Sequence, residues 1–175
     1  MIYMVEMAFR HPEREAEWNE WYFAHVRMLL SMPGFRASQR LHAIVDNPSP
    51  YLGLHAVESA AFFDSPTYRN RGGPTSVGHW SELQSNWHRN LLEGLDEAPE
   101  VPEDKFLLML RDAPTVPPLP GGTVIHWLNG VGLDHTISRL GLAIIADPTP
   151  LVGLAERDDR VRLFRPIGEK MRASD

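Results

Sequence analysis

Residues 17–42, EWNEWYFAHVRMLLSMPGFRASQRLH, decide the fold. Trp18, Trp21, Tyr22, His25 and Leu29 recur at helical spacing and so share one face. Pro33-Gly34 stops that helix, because proline cannot continue the ladder and glycine suits the left-handed exit. The strand Phe35–Val45 turns straight back. Its alternation puts Phe35, Ala37, Gln39, Leu41, Ala43 and Val45 on one face, and Arg36, Ser38, Arg40, His42 and Ile44 on the other.

Upstream, Met1–Phe9 is apolar on both faces apart from Glu6 and reads as a central strand. Glu13, Glu15 and Glu17 load the start of the helix with the charge its dipole prefers. Downstream, Asp46–Pro50 is turn chemistry, and Tyr51–Glu58 is a third strand returning against the second. A short helix over Ala60–Arg69 and a glycine-rich loop over Arg71–Gly78 follow. Trp80, Leu83, Trp87 and Leu91 predict a further helix across His79–Leu95. The acidic, Pro-containing stretch Glu97–Asp104 is the candidate boundary. Beyond it come a strand over Phe106–Arg111, a proline-stiffened loop over Pro114–Gly122 and a short helix over Thr123–Leu133. Strands over Ser138–Ala146 and Arg160–Ile167 complete the pattern, and a polar tail from Gly168 is expected to fray. Strand, helix, strand, strand, helix over residues 1–96 fits an α+β, ferredoxin-like split βαβ unit. Residues 105–167 read as a second, degenerate strand-rich unit packed on the first, with residues 168–175 as tail.

The 175 residues are 43% hydrophobic and 23% charged, as in ordinary soluble domains. No apolar run is long enough to span a bilayer and no leader is evident, so a cytoplasmic protein without a membrane partner is expected. Without cysteine there is no disulfide, thiolate zinc site or cysteine nucleophile. The net charge of -6 and the lack of a basic cluster argue against nucleic acid. Arginine outnumbers lysine, which fits a bacterial coding bias. No G-x-S-x-G elbow, phosphate loop or dinucleotide turn occurs. Eight histidines stand out, since histidine moves protons near neutral pH.

Trp18-Asn19-Glu20-Trp21-Tyr22-Phe23-Ala24-His25, Met32-Pro33-Gly34-Phe35 and Gln39-Arg40-Leu41 together resemble the EthD-like branch of the dimeric α+β barrel superfamily. Tyr51–Glu58 and Phe63-Asp64-Ser65-Pro66-Thr67-Tyr68 look like the same branch, so the resemblance covers about residues 1–95. It implies two sheets meeting in a barrel, usually across a homodimer. It also implies mostly cofactor-free isomerases, cyclases, decarboxylases or oxygenases acting on aromatic or polyketide-like molecules. A second unit in the same chain would close the barrel internally.

His25 reads either as an acid–base group or as a packing histidine bonded to a carbonyl. Arg40 reads as a carboxylate or phenolate anchor if its strand face lines a barrel cavity, with His42 beside it. His55, in an otherwise apolar strand, needs a partner, and Tyr51 and Gly53 share its face. Trp21, Tyr22, Trp80 and Trp87 read as pocket walls or plain core, and His79 and Tyr68 as further proton donors. His25, His42 and His55 lack metal-ligand spacing, so neither metal nor cofactor is expected. Together with the resemblance, these residues suggest a cofactor-independent lyase of aromatic catabolism, releasing carbon dioxide or a small aldehyde from a phenolic acid. An isomerase or cyclase, and a non-catalytic ligand-binding barrel, are the alternatives.

Overall fold

In the computed structural model, which describes residues 1–72 and 77–174, every long strand runs antiparallel to its neighbours. The strands are β1 (Ile2–Phe9), β2 (Phe35–Ala43), β3 (Tyr51–Val57), β4 (Gln84–Glu93), β5 (Phe106–Arg111), β6 (His126–Leu133), β7 (Arg139–Ile145) and β8 (Val161–Pro166). Their order is β3-β1-β4-β6-β7-β5-β8-β2, and β2 pairs back onto β3. The sheet is therefore a closed eight-stranded barrel made by one chain. Within β1–β4, and again within β5–β8, the order is second, third, first, fourth. The seams β4–β6 and β8–β2 join the two quartets.

Alternation along each strand sends one set of side chains into the barrel. Ile2, Met4, Leu41, Leu52, Leu54, Leu92, Leu107, Met109, Leu128, Leu140, Leu142 and Phe164 form one buried cluster there. Eight strands leave an interior that side chains fill. Glu6 is fully buried, accepting from Arg111 Nη1 at 2.8 Å and Arg162 Nη1 at 2.7 Å. Gln39 is satisfied by Val101 backbone, and Asn90 by Thr136. The interior is thus packed, and the polar face of β2 points away from it.

Helices cover the outer faces. α1 (Glu15–Leu30) lies on the first quartet through Trp18, Tyr22, Val26 and Leu29, an i, i+4, i+8, i+11 stripe. Gly34, at φ +91°, makes the exit. α2 (Pro66–Arg71), opened by Pro66 and capped by the Ser65 hydroxyl, and α3 (Trp80–Leu83) follow β3. α4 (Thr149–Ala155) packs on the second quartet.

Three local expectations fail. The helix over His79–Leu95 is one turn of α3 and then strand β4, hydrogen-bonded to β1 and β6 on its two sides. Trp80, Leu83, Trp87 and Leu91, spaced three, four and four apart, mimic a helix, while Trp87 and Leu91 share the outer face and Leu92 faces inward. Thr123–Leu133 is strand, not helix, from His126 onward. It is paired with β4 and β7 on its two sides, and at Gly130 a Cβ would sit 2.0 Å from the Ile137 carbonyl, so the strand needs a bare backbone there. The tail from Gly168 does not simply fray, since β9 (Met171–Arg172) pairs with Ala37 and Ser38, and Lys170 meets Glu97 at 2.6 Å. Gly73 and the rest of residues 73–76 lie outside the described residues.

Candidate functional site

Strand register arranges the outer face of the first quartet in rows. Ser38, His55 and Tyr3 stand side by side across β2, β3 and β1. Arg40, Gly53 and Val5 form the next row, and His42, Tyr51 and Met7 the third. α1 lies over these rows, so from Ser38 to His42 the polar face of β2 is covered by a helix, while Arg36 is exposed to solvent.

Over the first row the layers leave a cavity. It is lined by Tyr3, Tyr22, His25, His55 and Tyr68, with Trp21, Trp87 and Gln84 among its walls. The space between atoms, open mouth included, is about 430 Å³, of which about 30 Å³ admits the centre of a water molecule. As it stands the space is too narrow for an aromatic ring, and half-buried Trp21, His25 and Trp87 stand among its walls. The cavity has the composition of a small-molecule site, aromatic walls with a few polar groups aimed inward.

His55 is 1% exposed, and its Nδ1 lies 2.9 Å from the Ser38 hydroxyl. Burial pushes its pKa down to about 3, so the ring is neutral at physiological pH. His25 stacks on Trp21, ring centroids 5.2 Å apart, and has no hydrogen-bond partner among the described residues. Burial lowers its pKa to about 4. Gly53 makes room for this chemistry: a methyl there would lie 2.8 Å from His55 Nε2 and 3.4 Å from the Tyr22 hydroxyl. Those two polar atoms therefore converge over Gly53. Tyr3 and Tyr68 complete the lining, and burial raises both phenols above their ordinary pKa.

The residues singled out in the sequence separate into three places. His25, His55, Trp21, Tyr22, Tyr68 and Trp87 line the cavity. Arg40, His42 and Tyr51 lie in the other two rows. Arg40 is packed behind Tyr22, its carbon Cζ 4.0 Å from that ring's centroid, and it donates from Nη2 to Asn19 Oδ1 at 2.8 Å. It reaches neither the cavity nor the barrel interior. His42 packs edge-on to Tyr51, whose hydroxyl bonds Glu15, and it borders a separate cleft with Glu15 and Arg165. Trp80 is core beside Trp21 and Phe9, and exposed His79 stacks on it from outside. Tyr3, Ser38 and Gln84 join the site although the sequence did not single them out. Tyr3 and Ser38 were recoverable only from register, since each lies directly across from His55. Among the described residues no three His, Asp or Glu side chains converge where they could hold a metal ion.

No family model matches the chain and no curated protein matches it. A solved structure described as an anthrone oxidase-like protein is similar, with a TM-score of 0.59 over 99% of this chain and 93% of that one. Identity is 10%, so the likeness is one of fold: a mixed α/β protein built on an antiparallel eight-stranded barrel. Among the described residues no helix is long and apolar enough to cross a membrane.

Proposed function

We propose that the chain is a cofactor-free acid–base enzyme acting on an uncharged phenolic or polycyclic aromatic molecule. The observation that carries this is the pairing of two neutral imidazoles, His25 and His55, with three phenols in one aromatic-walled cavity. A neutral imidazole accepts a proton from the substrate, and a phenol returns one. The neighbour's description as anthrone oxidase-like supports an aromatic substrate class. We further propose that the two quartets are ferredoxin-like units, residues 1–96 and 105–167. They would close within one chain the barrel that EthD-like proteins build from two.

Among lyase reactions, small-aldehyde release fits this lining better than decarboxylation. Among the described residues the lining itself carries no cation, since Arg40 lies behind Tyr22 and Arg89 behind Tyr68 and Trp87, and burying a carboxylate there without a direct partner is costly. In aldehyde release a histidine removes a hydroxyl proton and the adjacent carbon–carbon bond breaks. The electron pair passes to the aromatic fragment, which a phenol protonates. An isomerisation uses the same two proton transfers and leaves the mass unchanged.

The test is a tryptophan-fluorescence screen of neutral phenols and polycyclic aromatic ketones, with mass spectrometry on each hit. Quenching with mass loss is the expected result for the lyase, and quenching with an isomeric product for the isomerase. Saturable quenching without any product would reduce the protein to a binder. Turnover unchanged in both His25→Ala and His55→Ala would sink the acid–base reading.

A further inference from the structure

Arg40 poses a problem that the cavity lining leaves unsolved. Its side chain is 4% exposed, and its Nη1 is buried without a hydrogen-bond partner. One bond to Asn19 holds Nη2. A buried cation is costly unless something compensates it, and among the described residues no carboxylate bonds this one, Glu15 acting on it only at longer range. What surrounds it is aromatic: the rings of Tyr22 at 4.0 Å, Phe23 at 4.9 Å and Trp18 at 5.1 Å. The shortest of these contacts is to the ring whose hydroxyl faces His55 across Gly53.

We propose that Tyr22 is the proton donor of the cavity, and that Arg40 is the positioning residue that fixes its ring and stabilises its phenolate from behind. Arg40 pairs across the strands with Gly53, so cation, notch and phenol occupy one row. Asn19 lies one turn before Tyr22 on α1 and braces the guanidinium, which ties the cation to the helix that carries the phenol. Burial brings Arg40 down to about 10, which leaves it charged at neutral pH.

The groups facing Tyr22 from other elements and from its own helix are Arg40 on β2, His55 on β3, Tyr3 on β1, Tyr68 on α2 and His25 on α1. Arg40 is the cation among them, and it opposes the rise that burial imposes on the Tyr22 phenol. The proton balance closes within the site. A histidine takes a proton from the substrate, Tyr22 gives its hydroxyl proton to the product fragment, and the imidazolium returns a proton to the phenolate.

This inference rests on the acid–base reading, but its first test needs no substrate. Protein carrying fluorinated tyrosines, which ionise near neutral pH, is titrated by fluorine NMR, and the resonance missing in Tyr22→Phe is assigned to Tyr22. In Arg40→Met its midpoint is expected to rise by about one pH unit or more, the effect of losing a cation at this range. Arg40→Lys retains a buried cation, guarding against a variant that fails to fold, and is expected to give a smaller rise. A midpoint unmoved in both folded variants would overturn the role of Arg40, whatever the enzyme's reaction proves to be. With a substrate in hand, Tyr22→Phe is expected to lower kcat at least about 100-fold with KM little changed. Full turnover in Tyr22→Phe would overturn the donor role, whereas loss of turnover only in the histidine variants would leave the acid–base reading standing alone.

Discussion

The outer face of the first quartet carries Tyr3, Ser38, Arg40 and His55 beneath the sixteen-residue α1. The outer face of the second carries Leu108, Leu110, Ala143 and Ile145 beneath the seven-residue α4. Where the first quartet has α1 between its first two strands, the second has the proline-rich segment 112–125. A long helix spans a sheet and shields buried polar rows over several turns. A short helix and a stiff loop suffice when the face beneath is plain hydrocarbon. One strand order thus supports two uses, a chemical face and a structural one.

Four experiments would break or sharpen that contrast. Acid should act on the first quartet. His25 and His55 have pKa values of about 4 and 3 in the folded chain, below the ordinary value near 6.5 that an unfolded chain recovers. Their stabilising effect is complete above pH 6.5 and is lost as pH falls toward 4 and then 3. The loss is on the order of 3 kcal/mol for His25 and about 5 kcal/mol for His55. Chemical denaturation between pH 7 and pH 3 measures it, and His25→Ala/His55→Ala should flatten the slope. An equal slope in that double variant would show that the acid sensitivity lies elsewhere.

Glu6 couples the halves, since it stands on β1 and is held by Arg111 on β5 and Arg162 on β8. Glu6→Gln leaves two arginines against a neutral amide and is expected to cost about 3–5 kcal/mol. Hydrogen exchange should then show the quartets opening at separate free energies, where the unmodified chain opens as one. Leu110→Ala, under α4, should cost about 2–5 kcal/mol through the cavity it leaves, with aromatic quenching unchanged. Weakened quenching would mean that the second face contributes to the site after all. Ser38→Ala removes the partner of His55 Nδ1 and should cost about 1 kcal/mol of stability while changing turnover far more.

How much was legible varied with the source of each signal. The α1 stripe, its Pro-Gly exit and the alternation of β2 are local, so spacing alone revealed them. His55 stood out because a polar group in an apolar strand needs a partner. That partner, Ser38, and its neighbour Tyr3 depended on pairing register, which no single strand encodes. β4 was misread because two local periods competed, and hydrogen bonds to strands on both sides decided between them. Alternation put Arg40 on a polar strand face, which reads as facing either solvent or a ligand cavity, and the helix that in fact covers it lies outside what one strand encodes.

The sequence by itself determined the element types of β1, α1, β2 and β3, the aromatic and histidine supply of the site, and the absence of thiol chemistry. Those follow from composition and from periods of 3.6 and 2.0 residues, which act within a few neighbours. Only the tertiary structure decided that one chain closes the barrel and that its interior is packed. It alone drew His25, His55 and Tyr22 around one cavity and left Arg40 behind Tyr22. Those outcomes depend on which strand edges meet, and edges far apart in sequence are chosen by the burial of both faces together.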